Sequence, residues 1–253
     1  MKYYNDFLKL GLFTKEQANQ IIGNSNAAKV YLRNALNKGL IKKIRHNYYA
    51  VMSLESKQPI PSRFAIGSQI NLSSFISHHT AFEYYGMANQ VFNEVFVSST
   101  RKFKEFEFDG GKYRYLPTQL TFGVTKFAPS IRVTDMERTI LENIKDFSKH
   151  GGLEELLHCL SMVTLVDQSK LLTYLEKYAN QFLYQKSGYI LKYFPAMKLS
   201  KEFFSTCKDK IGKSRRYLYE GIQQESPSYI SEWQLYAPQN LLMWVEDGRD
   251  MLV

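Results

Sequence analysis

Apolar residues recur at helical spacing through the first forty positions, and a glycine ends each run. Three segments have apolar side chains three or four positions apart and are followed by a glycine: 1–10, 14–22 and 27–38. Thr14 followed by Gln17 has the spacing of a capping box, in which each side chain bonds to the other residue's backbone amide. The pattern predicts three short helices, of which the last two form a helix-turn-helix.

The third predicted helix has two faces of different chemistry. Its inward face should be apolar and consists of Ala28, Leu32, Ala35 and Leu36. The opposite face has no acidic residue and consists of Lys29, Val30, Arg33, Asn34 and Asn37. Arginine and asparagine carry the forked groups that match guanine and adenine edges in the major groove. In the polar turn before this helix, Asn24-Ser25-Asn26, we expect Asn26 to be the N-cap.

A basic hairpin follows the third helix. Two β-prone runs, 41–45 and 48–51, flank the pair His46-Asn47, and Asn47 is expected to take a positive φ. The series of helices, basic helix and basic hairpin predicts a winged helix-turn-helix that binds double-stranded DNA. The residues expected to contact DNA are Lys15, Asn24, Ser25, Asn26, Lys29, Arg33, Asn34, Asn37, Lys42, Lys43, Arg45, His46 and Asn47.

The distribution of charge supports this prediction. The chain has 253 residues and a net charge of +9. Residues 1–58 hold ten basic and three acidic side chains, a net charge of +7, whereas the remainder carries +2. A basic module beside a nearly neutral body suggests a polyanionic partner, because neutralised phosphates release their counterions. The absence of a signal-like leader and of long apolar runs, with two cysteines, fits a reducing bacterial cytoplasm.

The rest of the chain has α+β patterning. The prolines around 57–61 predict a boundary between a DNA-binding domain, 1–57, and a C-terminal domain, 58–253, that is α+β to residue 150 and mostly helical from 151. Strands are predicted at 95–98, 103–108, 113–116, 120–127 and 131–133. Helices are predicted at 78–85, 135–145, 153–162, 168–178, 181–193 and 200–211, with Thr134 and Glu137 as a capping box.

Catalytic and metal-binding patterns are weak, so we predict no enzyme, no metal and no cofactor. His78 and His79 are adjacent and diverge by about 100° on a helix, which favours a structural pair. Cys159 adjoins His158 in the same way, and Cys207 has no partner at ligand spacing. A metal-dependent nuclease needs Glu-x-Lys on a strand, and the chain has this motif once, at 55–57, in the predicted linker.

Further basic residues lie in the body of the chain. In the hairpin at 103–116 acidic residues alternate with the aromatics, so we predict inward aromatics and mixed outward charges. Lys213, Arg215 and Arg216 are better candidates for a functional surface. Basic residues interleaved with aromatic ones can bind single-stranded nucleic acid by stacking.

Several motifs together resemble the AbiEi-type antitoxins of bacterial type IV toxin–antitoxin systems. The similar stretches are Gly11-Leu12-Phe13-Thr14, Gly39-Leu40-Ile41, Tyr48-Tyr49-Ala50-Val51, 76–86, 132–141, 186–191 and Trp233-Gln234-Leu235. The resemblance implies an N-terminal winged helix that represses its own operon, with inverted repeats in the promoter. It also implies that the C-terminal domain counters a nucleotidyltransferase-like toxin without forming a stable complex. A nuclease-like enzyme with a winged-helix targeting module, or a protein-interaction module, remain alternatives.

Overall fold

The computed structural model describes residues 3–127, 130–238 and 241, and over this range the fold is α+β. The described helices are α1 (Tyr4–Leu10), α2 (Lys15–Ile22), α3 (Ser25–Asn37), α4 (Arg63–Ser68), α5 (His78–Tyr84), α6 (Met136–Asp146), α7 (Gly152–Ser161), α8 (Gln168–Tyr178), α9 (Gln181–Leu191) and α10 (Lys201–Lys210). The described strands are β1 (Leu12–Thr14), β2 (Ile41–Arg45), β3 (Tyr48–Val51), β4 (Phe75–Ile76), β5 (Glu94–Ser99), β6 (Phe106–Phe108), β7 (Gly111–Pro117), β8 (Val124–Phe127), β9 (Ile131–Thr134), β10 (Arg216–Tyr217), β11 (Ser228–Ile230) and β12 (Leu235–Ala237). Among the described residues, no helix has the length and apolar character needed to cross a membrane.

The described residues divide into two compact units. The first unit takes its residues from 1–76, 93–120 and 126–132, and the second takes them from 77–92, 121–125 and 133–253. The largest described sheet has six strands in the order β6-β7-β5-β4-β9-β8. The first unit therefore extends beyond the predicted DNA-binding domain, 1–57.

The N-terminal part of the first unit packs three helices against a three-stranded antiparallel sheet of order β1-β3-β2. Its core is apolar and largely aromatic, and includes Tyr4, Phe7, Phe13, Ala18, Leu32, Ala35, Leu40, Ile41, Tyr49 and Val51. The predicted β2–β3 hairpin is confirmed, and Asn47 in its turn has φ 56°. The sequence did not indicate β1, because its three residues follow a glycine, end on the helix cap Thr14 and are too few to show alternation.

The helix caps confirm one prediction and correct two. Thr14 and Gln17 form the capping box, with the Thr14 amide donating to Gln17 Oε1 at 2.8 Å. The cap of α3 is Asn24 rather than Asn26, because Asn24 has the extended backbone a cap needs and accepts from two amides at 3.0 Å. The cap of α6 is Asp135, which accepts from the Arg138 amide, so the predicted Thr134 box is wrong. Thr134 is instead the last residue of β9.

The second unit packs its helices around a large apolar core. Helix α6 packs against α5, α8 and α9, and α9 also packs against α10. The predicted helices match α5 to α10 to within two residues at each end, and α8 matches at both ends. The prediction of a mostly helical segment after 151 missed the small sheet of order β10-β12-β11, whose strands have two or three residues. Runs this short do not produce a strand pattern in sequence.

Candidate nucleic-acid interface

Helix α3 separates an apolar face from a polar face. Ala28, Leu32 and Ala35 are buried in the N-terminal core, and Leu36 is half-buried against it, as predicted. The side chains of the opposite face are exposed and comprise Lys29, Val30, Arg33, Asn34 and Asn37. The spacing of the apolar positions fixes which side of the helix faces solvent, so this outward face follows directly from the sequence.

The N-terminus of α3 is open to solvent. Ser25 and Asn26 are exposed in its first turn, which contains no acidic residue. The side chain of Asn24, also exposed, is occupied by two backbone amides, so its role is to cap the helix. The remaining free amides and the helix dipole give this end a partial positive charge, which favours phosphate oxygens.

The β2–β3 hairpin divides its cations between two roles. Lys43 and His46 are exposed, and none of the described acidic side chains pairs with Lys43. Lys42, by contrast, lies 3.4 Å from the carboxylate of Asp109 and over the ring of Phe108. These contacts hold Lys42 against the β6–β7 hairpin of the same unit.

Arg45 is also drawn toward β6. Its guanidinium lies 5.8 Å from the ring centroid of Phe106, and the side chain is half-buried. Sequence reasoning placed Lys42 and Arg45 on DNA phosphates, but their partners on β6 come from a segment sixty residues away. The structure thus leaves Lys43 as the best exposed cation of the hairpin for a phosphate.

The two remaining predicted residues lie where α2 meets the hairpin turn. The backbone amide of Lys15 donates to the carbonyl oxygen of Asn47 at 3.2 Å, and both residues are half-buried. This bond ties the start of α2 to the turn that joins β2 and β3. The predicted set therefore falls into three groups. Lys29, Arg33 and Lys43 are exposed cations without an acidic partner in the described chain. The other exposed members are Ser25, Asn26, Asn34, Asn37 and His46, and the members with structural contacts are Lys15, Asn24, Lys42, Arg45 and Asn47.

The aromatic hairpin of the first unit has the arrangement that the sequence predicts. Phe103, Phe108 and Tyr113 are buried, whereas Glu105, Glu107 and Asp109 are exposed. Arg114 is paired with Glu94 at 2.6 Å and with Glu105 at 2.8 Å. Its outward charges are therefore mixed and partly neutralised.

The second unit contains a buried charged cluster that sequence reasoning missed. Both ring nitrogens of His79 face carboxylates: Nε2 lies 2.8 Å from Glu155 and Nδ1 lies 3.2 Å from Glu83. Burial opposes the charged imidazolium, but the hydrogen bonds to Glu155 and Glu83 raise the pKa of His79 above its usual value. Glu155 also accepts from the amides of Asn89 and Gln90.

Cys159 completes this cluster. Its thiol lies 3.4 Å from Glu155, and ligand atoms of His79, Glu155 and Cys159 all lie within 4.8 Å of one another. Burial raises the pKa of the Cys159 thiol, which disfavours the thiolate that binds metals. The grouping brings together α5 and α7, so no local spacing in the sequence signals it.

His78 faces a different set of groups, as the predicted divergence of the two histidines requires. Its ring lies 3.6 Å from Glu142 and 3.8 Å from Asp146, and it contacts the ring of His150 at 4.8 Å between centroids. Burial, followed by the neighbouring His78, lowers the pKa of His150 to about 4. His78 has φ 54°, a backbone conformation uncommon for a residue with a Cβ.

Comparisons with known proteins bear on the fold alone. No family model matches the chain, and no curated protein matches it. The structure is similar to the crystal structure of RV2827C protein from Mycobacterium tuberculosis, with a TM-score of 0.64 and 11% sequence identity. The match covers 94% of this chain and 89% of that chain. The α+β fold is therefore shared along nearly the whole length of both proteins.

Proposed function

We propose that this protein is a DNA-binding repressor and antitoxin of the AbiEi type. The observation that carries the DNA-binding part is the outward face of α3, where Lys29, Arg33 and Asn34 are exposed with no acidic neighbour on that face. The packing of α1, α2 and α3 against the sheet β1-β3-β2 supports a winged helix-turn-helix.

In the proposed complex, α3 lies in the major groove of double-stranded DNA. Arg33 and Asn34 contact base edges, which gives sequence preference. Lys29 and Lys43 contact phosphates, which gives affinity and fixes the register of the protein on the duplex. Lys42 and Arg45 hold the β2–β3 hairpin against β6. They affect DNA binding indirectly, by fixing the position of this hairpin.

The antitoxin part of the proposal rests on the resemblance of several sequence stretches to AbiEi-type antitoxins. Three of the similar stretches contribute to α5, α6 and α9, and α6 packs against both of the others. The family-like residues of the second unit thus belong to one packed core, which supports a common role for them. We propose that this unit counters a nucleotidyltransferase-like toxin in the bacterial cytoplasm without forming a stable complex, and that the protein has no enzymatic activity of its own.

A gel-shift titration with the protein's own promoter region tests the DNA-binding part. Arg33→Ala should weaken specific binding by about 1–3 kcal/mol and relax base preference, because it removes a base contact. Lys9→Ala is the matched control, since Lys9 is an exposed cation on α1, outside the proposed surface. Equal affinity of wild type and Arg33→Ala for the promoter would refute this placement of α3.

A co-expression assay tests the antitoxin part. The toxin encoded beside this gene should arrest growth when expressed alone, and the wild-type protein should restore growth. The rescue should persist in Arg33→Ala, because the proposal assigns neutralisation to the second unit. Failure of the wild-type protein to rescue would remove the antitoxin role and leave the DNA-binding role standing.

A further inference from the structure

Three tyrosines form a row across the small sheet of the second unit. Tyr217 of β10 pairs with Tyr236 of β12, and Tyr236 pairs with Tyr229 of β11. Their ring centroids are 4.7 Å and 5.0 Å apart. Because side chains paired across strands lie on the same face, the three rings share one side of the sheet. We call this set, Tyr217, Tyr236 and Tyr229, the tyrosine row.

The tyrosine row lies on the solvent side of the sheet. Leu235 and Ala237, the neighbours of Tyr236 in β12, point the other way and are fully buried. Tyr217 is 40% exposed and Tyr229 is 38% exposed. The ring of Tyr217 stacks on Tyr236 at one end of the row, and its 40% exposure leaves part of this terminal ring accessible to a planar ligand. An aromatic stack that ends in solvent can be extended by a ligand, whereas one enclosed by the protein cannot.

Basic residues lie beside one end of the row. The Arg215 guanidinium lies 4.9 Å from the ring centroid of Tyr229. Lys213 and Arg215 are exposed, and neither has an acidic partner among the residues that the structure describes. Arg216 is also exposed, but it precedes Tyr217 in β10 and its guanidinium lies 5.2 Å from the ring centroid of Phe182, away from the row. Residues 211–219 contain no aspartate or glutamate. The surface thus offers an aromatic face and unneutralised positive charge within a few residues.

We propose that the tyrosine row and its cations bind single-stranded nucleic acid. A base stacks on the exposed part of the Tyr217 ring and extends the row, and Lys213 and Arg215 hold the adjoining phosphates. Sheets with exposed aromatic side chains bind unpaired bases in this manner. A duplex is a poor ligand, because its internal bases already stack on one another and present no free face.

The chemistry of this surface makes it tolerant of base and sugar. Ring faces and phosphates are common to RNA and DNA, and the proposed contacts involve only these groups. Short oligouridylate and oligothymidylate should therefore bind with similar affinity. This site lies in the second unit and does not depend on the proposed duplex-binding face of α3.

The test uses full-length protein carrying Arg33→Ala and Lys43→Ala, which removes cations of the proposed duplex site. Fluorescence anisotropy at low salt should show binding of both labelled oligonucleotides. Tyr217→Ala should weaken it by about tenfold, because stacking on an aromatic side chain is lost. Tyr217→Phe should bind like the parent, since it keeps the ring. Arg215→Glu, at an exposed position, should weaken binding and reduce its dependence on salt.

Two controls separate binding from folding. Lys201→Ala removes an exposed cation elsewhere in the second unit and should leave affinity unchanged. If Tyr217→Ala proves unstable in thermal unfolding, Arg215→Glu carries the test. Photocrosslinking with 4-thiouridine in the oligonucleotide should label the segment 213–236.

Absence of oligonucleotide binding at low salt, or crosslinks confined to residues 1–58, would overturn the proposal. Unchanged affinity in both Tyr217→Ala and Arg215→Glu would do the same. Promoter-duplex binding by otherwise wild-type protein should be unaffected by Tyr217→Ala, so the outcome here is independent of the proposed DNA-binding role of α3.

Discussion

The outward face of the N-terminal helices and hairpin and the buried cluster around His79 use charged residues in opposite ways. On α3 and β2 of the first unit, Lys29, Arg33 and Lys43 project into solvent with no acidic partner among the described residues. In the second unit, His79 and Glu155 are buried and bonded to each other at 2.8 Å. Exposed, unpaired cations contribute little to folding and are free for a ligand, whereas a buried ion pair fixes packing and is costly to break.

The largest expected effect of a substitution lies in the buried cluster. Glu155→Gln should lower the free energy of unfolding by about 3–5 kcal/mol, because it leaves His79 with one carboxylate and weakens the bonds to the Asn89 and Gln90 amides. Urea unfolding at neutral pH measures the change. Glu154→Gln is the matched control, since the Glu154 side chain is exposed one position earlier in α7. A loss in Glu155→Gln no larger than in the control would mean that the cluster contributes nothing to stability.

The same cluster predicts how stability depends on pH. Because folding raises the pKa of His79, this residue stabilises the folded protein in full below its ordinary pKa of 6.5. That stabilisation is lost as the pH rises through the folded pKa. Burial opposes ionisation of Glu155, but the hydrogen bond from His79 lowers the pKa of this carboxyl. Glu155 therefore stabilises the folded protein above pH 4.5, and this stabilisation is lost as the pH falls through the folded pKa. Stability should therefore decline from pH 6 toward alkaline pH, and His79→Gln should flatten this decline. Urea unfolding across this range measures it, and an equally steep decline in His79→Gln would contradict the assignment.

A close approach between α9 and Trp233 gives the next largest effect. A Cβ on Gly188 would lie 2.1 Å from the Trp233 ring, which is 1% exposed. Gly188→Ala should destabilise the protein by about 1–3 kcal/mol, because the buried ring has to move. Thermal unfolding compares it with Ser187→Ala, a change at the preceding position that removes a hydroxyl. A Gly188→Ala protein as stable as wild type would show that the ring is loosely packed.

The smallest expected effects concern the hairpin of the first unit, where Lys42 and Lys43 are adjacent and exposed. Lys43→Ala should weaken binding to all DNA sequences alike and reduce the slope of log affinity against log salt by about one unit. Lys42→Ala should change this slope less, because Lys42 already pairs with Asp109. Salt titrations monitored by anisotropy compare the two variants. Equal slopes would mean that the ion pair with Asp109 opens on binding.

The sequence predicted features that depend on local chemistry. The bounds of helix α8 were predicted correctly because the apolar spacing within it is a local signal, and the structure adds Asp167 as its N-cap. The exposed face of α3 and the positive φ of Asn47 follow from spacing and turn chemistry in the same way. The cap of α3 was misplaced by two residues because Asn24 and Asn26 are equally good caps by type.

Features that depend on distant contacts could not be predicted. Lys42 meets Asp109, and His79 meets Glu155, across separations of 67 and 76 residues. Likewise, the tyrosine row needs the register of three strands that are too short to show a pattern. The sequence did mark Arg215 and Arg216 as candidates, but the alignment of Tyr217, Tyr236 and Tyr229 follows from the pairing of the strands.

The central claim is that DNA recognition belongs to the exposed face of the first unit and neutralisation to the second. One measurement tests it directly: promoter repression and toxin rescue in cells carrying Arg33→Ala, Asn34→Ala and Lys43→Ala together, with both genes under independent promoters. These side chains are exposed, so the triple variant should fold as the wild type does by circular dichroism. We predict that repression is abolished while rescue is complete. Loss of rescue in the folded variant would contradict the claim, because DNA binding would then be part of neutralisation.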